Sequence, residues 1–203
     1  MGQRILSKSW NERIAEALKE SSDRSSVILV ASWADELLRM RLESMFSKGN
    51  LKSRRDLYEG NGPFSTLSAK INAAFTAGWI ESDVYHDLHK LRKIRNEFAH
   101  SIDIQSIYDE PTRDWVTTLR VPRRAYHDWG EVGFAATDDG VVIYSGERPP
   151  EAREPIHGQA LLFRMAMQVL FAVLVWELKI PVDVDETGQG EIIDIPEHLK
   201  VRS

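Results

Sequence analysis

Cysteine is absent from the 203-residue chain, which excludes disulfides, thiolate metal sites and a cysteine nucleophile. A reducing, cytoplasmic setting fits that absence. An excess of basic charge is also missing, because 26 Lys and Arg stand against 31 Asp and Glu for a formal net charge of −5. A globally basic nucleic-acid binder is thereby excluded, and any contact with nucleic acid must be local. The chain has no low-complexity tract and no internal repeat. Its first residues, Met1-Gly2-Gln3-Arg4-Ile5-Leu6, contain no apolar signal core. The one long apolar run, Leu161 to Trp176, is short for a bilayer span of about 20 residues and is interrupted by Arg164 and Gln168. It reads as a helix buried within the fold or against a second copy, with Arg164 and Gln168 on a side that meets water or a polar partner. No membrane partner is expected.

What the chain does contain is helical periodicity. Its length suits one domain with a substantial core. Trp10, Ile14 and Leu18 mark a short first helix closing near Ser21-Ser22. Val27, Val30, Ala31, Ala34, Leu37, Leu38, Met45 and Phe46 continue the same period in a second, which Gly49-Asn50 would end. Asp35 and Arg39 lie one turn apart on its polar side and read as a solvated face. A short helical piece follows over Leu51 to Tyr58. The turn Gly60-Asn61-Gly62-Pro63 then places proline just inside a third long helix, with Phe64, Leu67, Ile71, Ala74 and Phe75 towards the core. Gly78 is its stop, and a further helix spans about Ser82 to Ser101. Beyond it, Trp115 to Pro122 alternates loosely, Val132 to Tyr144 carries a hairpin signal with Asp139-Gly140 at the turn, and a last helix runs from about His157 to Lys179. The fold class is mainly α: a bundle of about five helices with a small β-hairpin insertion.

The segment Arg92-Lys93-Ile94-Arg95-Asn96-Glu97-Phe98-Ala99-His100 carries the most chemistry. Val84, Leu88, Leu91, Ile94 and Phe98 form one apolar stripe. Steps of about 100° put Arg95 inside it. A guanidinium cannot shed its charge, so burial there demands a partner or an anion. The partner could be Asp87, Asp35, Glu36 or backbone carbonyls, with Asn96 and His100 satisfying the helix end. Alternatively, Arg95 and His100 could divide charge stabilisation and acid–base work on a phosphodiester. An ideal helix separates these two by about 140°, so they converge only through a distorted end or a second subunit. His86 and His89 are three residues apart but lack the further ligands a metal needs, and read as solvated. The Gly60–Pro63 turn lacks a lysine and a longer glycine pattern, so it is a tight connection rather than a nucleotide loop. No cofactor and no metal are expected. The helix–Gly–helix corner from Phe75 to Leu88 opens its second helix with Glu81-Ser82-Asp83, acidic where a DNA phosphate would sit, and reads as a packing corner.

Glu59 to Ile71, then Ala77-Gly78-Trp79-Ile80, then Leu91 to His100 together resemble the mannitol operon repressor (MltR-like) family. The matching block covers about Val27 to Ile107 and the final helix fits its outline. The resemblance implies a single helical domain over residues 1–180, with an insertion at about 110–156 and a polar tail at 181–203. It further implies a cytoplasmic, non-enzymatic transcriptional regulator that self-associates as a homodimer and represses through protein contacts. The Arg-Asn…His motif also resembles the HEPN superfamily, many members of which are metal-independent ribonucleases with a dimer-built cleft. Carried over, Arg95 would stabilise the phosphate, Asn96 orient the substrate and His100 handle the proton. RNA is the partner on that alternative. A protein partner in transcription or in a toxin–antitoxin system is the expectation otherwise.

Overall fold

A computed structural model describes residues 10–46, 51–104, 106–107, 109–125, 132–137, 140–145 and 158–181. Eight helices occur among them: α1 (Trp10–Glu20), α2 (Asp23–Met45), α3 (Leu51–Tyr58), α4 (Leu67–Thr76), α5 (Ser82–His100), α6 (Thr112–Thr117), α7 (Arg120–Ala125) and α8 (Gly158–Glu177). The backbone of β1 (Val132–Thr137) pairs antiparallel with β2 (Gly140–Ser145) in the register Val132↔Ser145 to Thr137↔Gly140. Asp138 and Asp139 of the expected turn lie outside the described residues, as does the tail beyond residue 181.

Helix α8 occupies the centre. Phe163, Met167, Leu170, Phe171, Leu174 and Leu178 are all buried, and α8 touches α1, α2, α5 and α7. Nearly continuous apolarity is what a helix enclosed on several sides requires. No helix among the described residues is long and apolar enough to cross a membrane. Half-buried Arg164 donates to the carbonyl of Ser21 at 2.9 Å. The polar partner expected on that side is thus the end of α1.

Helix α5 is the second organiser. Val84, Leu88, Leu91, Ile94 and Phe98 are fully buried, as the stripe predicts, and α2, α4, α6, α7 and α8 all pack on this helix. The corner into it is set at Gly78, whose φ of +67° only glycine adopts without strain. Trp79 N–H donates to Ala74 O and Gly78 N–H to Phe75 O, both at 2.9 Å, which satisfies the last carbonyls of α4.

Three expectations need correction. Helix α4 starts at Leu67, four residues after Pro63, because Thr66 caps it by accepting from Ala69 N–H at 3.1 Å. Pro63 instead belongs to a tight turn in which a Cβ on Gly62 would sit 2.2 Å from the carbonyl oxygen of Asp56. Three apolar side chains expected on core-facing stripes are exposed, Met45, Phe46 and Phe75: Phe46 stacks on Phe64 with ring centroids 5.7 Å apart, and Phe75 packs on Tyr85 at 4.4 Å. The loose alternation of Trp115 to Pro122 is not extended structure but the short helices α6 and α7. Val116, Leu119 and Val121, buried here, are spaced for helical turns as readily as for a strand. These two helices bring the number to eight.

Asp35 is also not part of a merely solvated face. The ammonium of Lys70, only 3% exposed, reaches both its carboxylate oxygens at 2.6 and 2.8 Å, tying α4 to α2. Burial of a lysine requires such a partner. Arg39 pairs along its own helix with Glu43 at 2.8 Å.

Candidate functional site

Arg95 does not lie in the buried seam. It is exposed, and its Nη1 donates to Oδ1 of the adjacent Asn96 at 2.9 Å. A helical wheel treats every turn as covered, whereas packing depends on how far each neighbour reaches along the axis. At about 1.5 Å per residue, α4 is roughly half as long as α5, and it meets α5 through Tyr85 and His89, in the first half. The final turns run on past it. Asp87 and Asp35, two of the acids expected to receive Arg95, are engaged elsewhere. Asn96 is half-buried and His100, the last residue of α5, is exposed. No hydrogen bond joins His100 to Arg95 or Asn96 among the described residues.

The arginine that serves the carbonyls at the end of α5 is Arg24, a residue the sequence pattern did not single out. From the first turn of α2 it donates to Phe98 O, to Ser101 O at 3.0 Å and to Ile104 O at 2.9 Å. Its guanidinium also lies 5.9 Å from the Phe98 ring centroid. A cation there meets the negative end of the helix dipole and the orphan carbonyls together. Next to it, Asp23 accepts from Ser106 Oγ at 2.9 Å and Ile107 N–H at 3.2 Å. Two consecutive residues therefore hold the chain leaving α5.

Asp87, fully buried, plays the corresponding part for the first half of α5. Its carboxylate accepts from Arg120 N–H at 2.9 Å, Val121 N–H at 2.8 Å and His86 Nδ1 at 2.9 Å, capping α7 from a neighbouring helix. Burial pushes its pKa up, and the bonds from Arg120, His86 and Val121 oppose that rise. The start of α5 lacks a side-chain cap of its own; Glu177 of α8 supplies one, accepting from Glu81 N–H at 3.1 Å. Burial raises the Glu177 carboxyl to about 7, against the lowering influence of the Glu81 bond and Arg124, with Glu81 and Asp83 adding repulsion.

Between these anchors the outer face of α5 forms a groove of about 380 Å³ with Tyr85, His86, His89, Lys90, Lys93 and Arg120 along it. The histidines expected to be merely solvated are both fixed. His86 is bonded to Asp87, and His89 Nε2 lies 3.1 Å from Asn72 Oδ1, which also accepts from Tyr85 Oη at 3.2 Å. Burial, then Arg92, Lys93 and His86, push the His89 pKa down. Among the described residues no cluster of His, Asp and Glu could hold a metal ion.

No family profile matches the chain, and no curated protein matches it in sequence. Solved structures do share its fold. A chain in the X-ray structure of the MtlR-HPr complex from Escherichia coli is similar with a TM-score of 0.56 and 18% identity, over 84% of this chain and 99% of that one. A possible transcriptional regulator, YggD from Shigella flexneri, is similar with a TM-score of 0.54 and 12% identity, over 83% of this chain and 96% of that one. This chain therefore shares the fold of these two solved structures.

Proposed function

We propose that the chain is a cytoplasmic, non-enzymatic transcriptional regulator of the mannitol operon repressor type, acting through protein contacts as a homodimer. The observation that carries this reading is the correspondence of fold over 99% of the chain found in the MtlR-HPr complex, a structure in which a protein partner is bound. A net charge of −5 agrees with a role in protein contacts rather than in broad binding of nucleic acid. Ile102, 85% exposed just past α5, offers an apolar point for such a contact. The test is calorimetric titration with purified HPr, alongside sedimentation of the free chain. Saturable binding, with a sedimenting mass about twice 23.2 kDa, is expected. A monomer that ignores HPr would retire the reading in favour of a partner from another system, such as a toxin–antitoxin pair.

A second reading rests on one observation: Arg95 and His100 are both exposed at the same end of α5, where a substrate can reach them. On it the chain is a HEPN-type metal-independent ribonuclease, with Arg95 and Asn96 on the phosphate and His100 moving the proton. A twin protomer would complete the cleft. Cleavage would then survive chelation and depend on both side chains.

A further inference from the structure

The groove on the outer face of α5 concentrates positive charge on an acidic protein. Lys90 donates only to the hydroxyl of Thr118, at 3.0 Å, and Lys93 is exposed with no carboxylate partner among the described residues. Arg120 has Asp83 near it at 3.5 Å, and Asp83 is also 3.5 Å from Arg124, so one carboxylate is shared by two guanidinium groups. Asp87, the remaining acid of this half of α5, is fully buried and turned to α7. A volume of about 380 Å³ falls within the range of small-molecule sites and is too small to seat a folded partner.

The two imidazoles add a directional feature. A carboxylate can only accept, so His86 Nδ1 must carry the proton in its bond to Asp87. Asn72 Oδ1 likewise only accepts, so the proton of His89 sits on Nε2. Each neutral ring then offers only a lone pair on its other nitrogen, Nε2 of His86 and Nδ1 of His89. Protonation turns each of these nitrogens into a donor. The charged and titratable groups around them are Asp83, Tyr85, Asp87, Lys90, Arg92 and Lys93 on α5 and Arg120 on α7, while α4 contributes neutral Asn72 and Phe75.

We propose that this groove binds a small phosphate-bearing anion through Lys90, Lys93 and Arg120, with His89 beside them as an additional donor. The site rests on these side chains alone and does not depend on the regulator reading. Proton uptake accompanies binding, so affinity rises as pH falls through the imidazole range. Burial first, and then the like charges of Arg92, Lys93 and His86, depress the basicity of His89; an incoming anion would relieve the repulsion but not the burial.

The test is calorimetric titration of the full chain with inorganic pyrophosphate at pH 6 and pH 8 at constant ionic strength. Wild type is compared with the double variant Lys90→Ala/Lys93→Ala and with Lys52→Ala on α3, which removes one charge elsewhere. Circular dichroism confirms that each is folded. The double variant should bind at least about tenfold more weakly, as loss of charge-assisted hydrogen bonds requires. Wild type should weaken several-fold at pH 8 once the ionisation of pyrophosphate itself, which gains charge over the same range, is corrected for, and Lys52→Ala should match wild type. Three results would overturn the site: no saturable binding at millimolar pyrophosphate, equal affinity in all three proteins, or binding of single-stranded RNA through Lys90 and Lys93 while pyrophosphate is ignored.

Discussion

The two halves of α5 obey the same apolar period and meet different fates. In the first half, α4, α6 and α7 supply bonding partners on the flanks, and polar side chains there are fixed: Asp87 by two backbone N–H groups, His86 by Asp87, His89 by Asn72, Lys90 by Thr118. At the last two turns Arg24 of α2 closes the end, on the carbonyls of Phe98, Ser101 and Ile104. Arg95 and His100 project outward. A buried polar group is therefore diagnosed by how far its neighbours extend as much as by its angular position.

Substitutions should separate the halves sharply. Asp87→Ala strips acceptors from Arg120 and Val121 N–H in a sealed environment, and should cost about 4 kcal/mol in urea unfolding; a loss below about 1 kcal/mol would mean that α7 finds another cap. The start of α5 should carry a pH signature. With its carboxyl raised to about 7 from 4.5, Glu177 binds its proton more tightly in the folded state than in the unfolded chain. Its contribution is complete below about pH 4.5 and is lost as pH rises towards 7, a difference on the order of 3 kcal/mol. Raised Asp87 acts in the same direction. Glu177→Gln, which keeps an acceptor for Glu81 N–H, should flatten most of that slope; an unchanged slope would remove Glu177 from the account.

At the other end, Arg24→Ala should destabilise by about 2 kcal/mol, since three carbonyls lose a charged donor. Arg95→Ala should stay within about 0.5 kcal/mol of wild type, as surface substitutions do. Reversal of that order in denaturant midpoints would restore Arg95 to a structural role.

Much of the scaffold was legible because it depends on local rules. The stripe from Val84 to Phe98, the stop at Gly78 and the enclosed character of Leu161 to Trp176 all follow from periodicity and backbone sterics, and the two similar solved structures share the resulting fold. The polar anchors were not legible in the same way. Lys70 falls on the same face as Leu67, Ile71 and Ala74, and Asp87 on the face of Val84 and Leu91, so their burial had an angular signal that the sequence reading gave to Arg95 instead. Arg24 had none, since its acceptors are backbone carbonyls more than 70 residues away in the chain. Helices α6 and α7, six residues each, are too short for their period to be distinguished from an alternating strand.

The central functional claim is that the exposed end of α5 serves contacts and not cleavage. It is tested most directly by incubating folded protein with mixed RNA in EDTA, comparing wild type, Arg95→Ala and His100→Ala. The account predicts intact RNA in all three. Metal-free cleavage by wild type that vanishes in both variants would contradict it.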